Sequence, residues 1–215
     1  RGIVGQESCV EVPNGVDIEF FRPGEDAVRK KRGIFAGSQS WYPNRDAMNW
    51  FVSEIWPHLR EAVPDFDFDL IGKDASSSLK QAVSKDDRFH VHGFVDDVRP
   101  YIDAAMIYIC PIRDGGGTKL KILDALAMGK VIVAHPIAVE GINVTDGKNV
   151  VLAESPSDFV TSISELAESP EARRELERNA RELAVAEYSF DAIGAHLADT
   201  YRMLIERTRG GAVSS

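Results

Sequence analysis

The sequence predicts an α/β domain: a Rossmann-like parallel sheet of about six strands with helices on both faces, followed by C-terminal helices. Two observations carry this expectation. Short β-rich runs ended by turn residues alternate with helical segments, which implies parallel strands joined by crossover helices. After the last run come amphipathic patterns at helical spacing with no strand between them.

Residues 1–23 open the chain as a segment of linker character, because Pro13-Asn14-Gly15-Val16-Asp17 is rich in turn formers. The strands are expected at Gly33–Gly37, Phe66–Gly72, Phe89–His92, Met106–Pro111 and Lys130–Ala134, with a sixth at Asn149–Ala153. Between them lie helices at Asn44–Val63, Ser77–Val83, Val98–Ala105 and Thr118–Met128. Pro43 and Asn44 open the first of these, Pro57 inside it is expected to kink it, and Gly129 closes the last. Pro156–Glu168, Pro170–Glu187 and Phe190–Ile205 complete the helical end, each with an apolar stripe suited to packing. The domain is expected over residues 24–208, with a disordered tail at 209–215.

The chain has 215 residues, 44% of them hydrophobic and 27% charged, enough for one domain with a sizeable core. Its net charge of −9 argues against non-specific nucleic-acid binding and against a polybasic membrane patch. No apolar stretch is long enough to span a bilayer. Two cysteines, Cys9 and Cys110, suggest neither a disulfide framework nor a metal cluster. His90 and His92 share a strand face, yet no acidic or cysteine partner is evident nearby, so no metal is expected. No cofactor is expected either. The chain begins Arg-Gly-Ile-Val, like a piece picked up partway through a longer protein.

Turns rich in small or polar residues follow each strand: Gly37-Ser38-Gln39-Ser40, Gly72-Lys73-Asp74, Gly93-Phe94-Val95-Asp96-Asp97, Arg113–Gly117, and His135-Pro136 with Glu140-Gly141 beyond. In an open parallel sheet ligands bind at such carboxyl ends, near the reversal of strand order. The richest of these turns runs Arg113-Asp114-Gly115-Gly116-Gly117-Thr118 into a helix carrying Lys121 and Asp124. Glycines let a backbone approach a ligand closely, and a helix start offers unpaired N–H groups. At helical spacing Gly117, Lys121, Asp124 and Met128 share one face. Lys121 can then meet a phosphate, and Asp124, a turn deeper, can accept from the vicinal hydroxyls of a ribose. The order suits a nucleotide diphosphate; the plain alternative is a capped helix with solvated charges. Gly37 and Ser38 leave room and donors for a phosphate. Phe94 and Val95 either border a planar base or simply pack the strand end. Asp96 and Asp97 read as an N-cap pair. His135, at a strand end beside the rim, is a structural histidine or a sugar contact.

These residues resemble the donor-binding C-terminal domain of GT-B glycosyltransferases, in the large retaining group often called family 4. The resemblance rests on Val12–Asp17 with Phe21-Arg22-Pro23, on Phe35-Ala36-Gly37-Ser38 with Tyr42–Ala47, on Gly93–Asp97, and on Pro111–Gly129 with Val131–Ala134 and Glu140-Gly141. It implies transfer of a sugar from a UDP-, GDP- or ADP-type donor to an acceptor hydroxyl with retention. It also implies a cytoplasmic site, at the inner membrane face through a missing N-terminal domain that would bind an acceptor saccharide or lipid-linked glycan. By position, Asp124 matches the family's ribose-holding acid, and Gly115, Gly116, Gly117 and Thr118 its sugar- and phosphate-binding turn. The family's first acid falls at Gly116, a departure that one bacterial branch shares. Gly115 and Gly116 then offer N–H groups in its place, with Asp114 a partial substitute. Lys121 becomes the main phosphate cation, since the first loop holds Asn44 and Arg45 rather than lysine. No catalytic residue is assigned; Asp114 and His135 are the weak candidates. A nucleotide-sugar 2-epimerase and a non-catalytic nucleotide-sugar sensor remain as alternatives.

Overall fold

The computed structural model describes residues 10–24 and 30–211, with only the backbone of 30 and 207–211. Cys9, residues 1–9 of the expected linker and 212–215 of the expected tail lie outside the described residues. The strands are β1 (Lys30–Ala36), β2 (Asp67–Ile71), β3 (Phe89–Gly93), β4 (Ala105–Cys110), β5 (Val131–Ala134) and β6 (Val151–Leu152). They form one sheet in the order β3-β2-β1-β4-β5-β6, paired in parallel throughout. The chain lays β2 and β3 outward from β1, then returns to place β4 on its other side. Strand order reverses between β1 and β4, and their carboxyl ends diverge there into a crevice.

Every residue of β4 and β5 is buried, as strands covered on both faces must be. The β2–β3 side of the core is aromatic: Phe68 stacks 4.4 Å from Phe51 and 5.0 Å from Phe89, and Trp56 closes on Phe89 at 5.5 Å. Truncating Phe68 would cost about 3–5 kcal/mol, because its neighbours cannot collapse fully into the space.

The expected helix Asn44–Val63 is divided. α1 (Tyr42–Trp50) passes through a π turn (Phe51–Ile55) into α2 (Trp56–Ala62). Pro57 explains the break: in a continuous helix it would lack the N–H for a ladder bond, but here it sits in the first turn of α2, where that N–H is not needed. α3 (Ser77–Val83) is capped by Ser76, whose hydroxyl accepts from the Leu79 N–H. α4 (Arg99–Ala104) and α5 (Leu120–Ala127) are shorter than expected, and β6 is reduced to two residues. A 3₁₀ turn (Pro136–Val139) follows β5. α6 (Pro156–Glu168) keeps the expected bounds and carries a full capping box between Ser155 and Asp158. α7 (Pro170–Leu183) ends in a second π turn (Ala184–Tyr188), and α8 (Phe190–Gly211) runs past the expected end at Ile205.

Residues 16–21, ahead of β1, are tied to the C-terminal helices. Val16 bridges to Ser189. The Arg181 guanidinium donates to the carbonyls of Ile18 and Phe21 (both 3.1 Å) and Ala127 (2.6 Å), fastening that segment to the end of α5.

Candidate functional site

A cavity of about 320 Å³ occupies the crevice. Gly37 after β1, Gly72 after β2, Phe94 and Val95 after β3, and Lys121 and Asp124 on α5 line it. The sequence places five strand-end turns on one rim; of these, the turns after β1, β2 and β3 line the cavity, while the Arg113–Gly117 turn and His135 do not. A cavity of about 350 Å³ between the leading segment and α4 is as large. Its Arg99, however, is held by Asp97 at 2.7 Å and stacked 3.7 Å over Phe20, which leaves that cation already satisfied.

Lys121 is the centre of the site. Its ammonium lies 4.2 Å from the centroid of the Phe35 ring and donates to Asn44 Oδ1 at 2.6 Å. Asn44 is itself buried, and its Nδ2 donates to the Ser38 carbonyl at 2.7 Å. Loop, α1 and α5 are thus joined through one carboxamide. Gly37 makes this possible: a Cβ there would stand 2.4 Å from Lys121 Nζ and 2.6 Å from Asn44 Nδ2. Burial lowers the Lys121 pKa to about 8, and burial raises that of Asp124 to about 6 against the pull of Lys121. A cation and a carboxylate are therefore held in a cavity that favours neither charge, the sort of poise found at functional sites.

The glycine turn sits beside this cavity. Gly115 (φ +98°) and Gly117 (φ +80°) take backbone conformations that disfavour side chains, and a Cβ on Gly115 would meet Pro43 at 2.7 Å. The Gly115 N–H is occupied by Asp114 Oδ1 at 2.7 Å, so it is not the free donor that was expected. The N–H groups of Gly116 and Gly117 make no hydrogen bond among the described residues. Lys119 was not singled out by its sequence pattern. Its side chain is buried under the turn and donates to the carbonyls of Gly115 (2.7 Å) and Gly117 (2.8 Å). A positive charge thus lies directly beneath the loop that Lys121 flanks. Gly117 and Thr118 precede α5, which starts at Leu120, so Gly117 does not share a helix face with Lys121 and Asp124. Met128 is buried against the leading segment instead.

His135 Nδ1 accepts the Ile137 N–H at 3.3 Å and caps the 3₁₀ turn, with its ring against Trp50. It does not line the cavity. Asp97, not the pair with Asp96, accepts from the Arg99 N–H at the start of α4. The expectation that His90 and His92 lack acidic neighbours is overturned. Parallel register sets β2 beside them, with His92 Nε2 2.7 Å from Asp69 and Arg32 bonded to both Asp67 and Asp69. Among the described residues no group of three or more His, Cys, Asp or Glu side chains could hold a metal ion.

Residues 30–169 match the model of the family described as "Glycosyl transferases group 1", and the chain belongs to that family. A Klebsiella pneumoniae protein described as an uncharacterized 44.6 kDa protein in the cps region is 25% identical over 154 residues, covering 68% of this chain and 40% of that protein. The crystal structure of the C-terminal domain of a group 1 family glycosyl transferase (LpcC) from Francisella tularensis has a TM-score of 0.66 at 20% identity, covering 82% of this chain and 100% of that domain. The structure of Anabaena Alr3699/HepE in complex with UDP-glucose has a TM-score of 0.70 at 17% identity, covering 89% of this chain and 57% of that one. The fold is that of the C-terminal domains of GT-B glycosyltransferases. The chain spans 40% of the Klebsiella relative's length.

Proposed function

We propose that this chain is the donor-binding half of a glycosyltransferase that moves a sugar from a nucleotide diphosphate to an acceptor hydroxyl with retention at the anomeric carbon. The observation that carries the reading is the pairing of Lys121 with Asp124 in the crevice where strand order reverses. Asp124 accepts from the ribose hydroxyls. Lys121, with Lys119 beneath the turn, neutralises the diphosphate as it becomes the leaving group. Gly116, Gly117 and Thr118 border the phosphates and the sugar, Gly37 and Ser38 the phosphate from the opposite loop, and Phe94 and Val95 the base. A UDP donor is supported by the UDP-glucose held by the Anabaena structure. The acceptor, a saccharide or lipid-linked glycan, belongs to an N-terminal domain, and the Klebsiella relative's cps region supports a polysaccharide product. The site is proposed to face the cytoplasm. Among the described residues no helix is long and apolar enough to cross a membrane.

Thermal melting against a panel of UDP-, GDP- and ADP-sugars tests this. One base should raise the midpoint in a concentration-dependent way, by mass action on the folded state. A flat response to every nucleotide would remove the proposal. Because no carboxylate stands at Gly116, a second reading is a nucleotide-sugar sensor. Nucleotide binding without turnover in the longer protein would favour it.

A further inference from the structure

Lys119 occupies an unusual place for a lysine. It directly precedes α5, where serine, threonine, asparagine or aspartate usually caps a helix, and its side chain caps nothing. A cation is also the wrong charge for the positive end of a helix dipole. Yet Lys119 is only 3% exposed, and its ammonium donates to the Gly115 and Gly117 carbonyls at 2.7 and 2.8 Å. Little else restrains those peptides. A Cβ at Gly116 or Gly117 would meet nothing within 4 Å, and three glycines in a row leave the peptide planes without side-chain restraint.

The consequence lies in the other half of each peptide. The Gly115 carbonyl shares its peptide with the Gly116 N–H, and the Gly117 carbonyl shares its peptide with the Thr118 N–H. No peptide bond among the described residues is cis, and in a trans peptide the carbonyl and the N–H point in opposite directions. Two carbonyls that converge on one ammonium beneath the turn therefore direct the Gly116 and Thr118 N–H groups away from it. Neither N–H makes a hydrogen bond among the described residues, and Gly116 is exposed. The Gly115 N–H, by contrast, is already taken by Asp114. A hydrogen bond at a carbonyl also strengthens the N–H of the same peptide as a donor. Unpaired N–H groups presented together by a turn make an anion-binding concavity. The crevice is close by: the Lys121 pKa, lowered chiefly by burial, is pushed down further by the Lys119 charge.

We infer that Lys119 is a positioning residue that fixes two peptide planes of the glycine turn, so that the Gly116 and Thr118 N–H groups face an anionic oxygen of the ligand. The inference rests on the donor-binding reading above, in which that oxygen belongs to the diphosphate. Lys119 itself, covered by the turn, does not touch the ligand.

Proton–nitrogen spectra of the isotopically labelled chain, with and without saturating UDP, test this. In the wild type the Gly116 and Thr118 amide protons should move downfield on binding, as N–H groups that gain a charged acceptor, and the Gly115 proton should move far less. Lys119→Met, similar in length and uncharged, should bind UDP about 10- to 150-fold more weakly, the range of one hydrogen bond to a charged group. At saturation it should lack both downfield shifts yet keep the shifts of Gly37 and Ser38. Lys119→Arg, which can again donate to both carbonyls, should recover both shifts and most of the affinity. Melting curves of the free variants check that the fold is kept, and the wild-type pattern needs no variant. UDP binding that leaves the Gly116 and Thr118 amides unmoved in the wild type overturns the inference alone. So does a Lys119→Met chain that keeps both downfield shifts at saturation, even with weakened affinity, because the ammonium would then act by its charge only. Absence of UDP binding in the wild type strikes the UDP-donor reading itself and this inference with it.

Discussion

Replacing Lys121 with methionine should make the free protein more stable and the nucleotide complex weaker. Methionine keeps the length and apolar bulk that lie over Phe35, and it removes the charge. At pH 7 the wild-type ammonium is protonated both folded and unfolded, but its folded pKa is held at about 8 by burial against a reference of 10.5. Each unit is worth about 1.4 kcal/mol, so the buried charge costs roughly 3 kcal/mol before any allowance for partial solvent access. Losing the 2.6 Å bond to Asn44 offsets about 1 kcal/mol of the relief. The net gain is about 1–2 kcal/mol, or roughly 2–8 °C in melting temperature for a domain of this size. The sign has a further consequence. A lysine with a lowered folded pKa destabilises in full below about 8, and this penalty fades as pH rises from there toward 10.5. Wild-type stability should therefore gain on the variant's over that window. Calorimetry should meanwhile show nucleotide affinity falling about 10- to 150-fold, the range of a hydrogen bond to a charged group. A variant that melts lower than the wild type and binds a nucleotide equally well would make Lys121 a structural residue with no part in holding the ligand.

Three other outcomes follow from the same contacts. UDP-glucose affinity should peak between pH 6 and 8, falling at lower pH as Asp124 is protonated and at higher pH as Lys121 loses its charge; a flat profile from pH 5 to 9 would separate both groups from the ligand. Gly37→Ala should displace Lys121 and Asn44 together, costing about 1–3 kcal/mol by overpacking and weakening nucleotide binding, as melting and calorimetry would record; unchanged affinity would show that the relay does not serve the ligand. Arg181→Ala should lower stability by about 2–3 kcal/mol in denaturant unfolding, because carbonyls of Ile18, Phe21 and Ala127 lose one shared donor. An effect under about 0.5 kcal/mol, usual for a surface substitution, would contradict that role.

The layered fold was legible in sequence because its signals are local. Strand and helix runs alternate, and the Ser155-Pro156 and Pro170 boundaries announce α6 and α7 through capping residues and proline. The pair Lys121 and Asp124 was legible for the same reason, since both lie on one helix three residues apart. What escaped depends on contacts that spacing does not encode. Asn44 meets Lys121 across 77 positions of chain. Lys119 folds back beneath its own turn only because Gly115 and Gly117 adopt left-handed conformations that aim their carbonyls at it. The Asp69–His92 contact is set by strand register, which a single sequence leaves open. The π turn at Phe51–Ile55 reflects how a helix absorbs Pro57, where a kink was the natural expectation.

The donor-binding role requires the crevice between β1 and β4 to seat a nucleotide diphosphate. Titrating the isotopically labelled chain with UDP and mapping the perturbed amides tests this most directly. The largest shifts should fall on Gly37 and Ser38, on Gly93 to Val95, and on Gly116 to Asp124, and should vanish together in Asp124→Ala. Shifts confined to another face, such as the cavity lined by Val151, Leu166 and Leu176, would contradict that role.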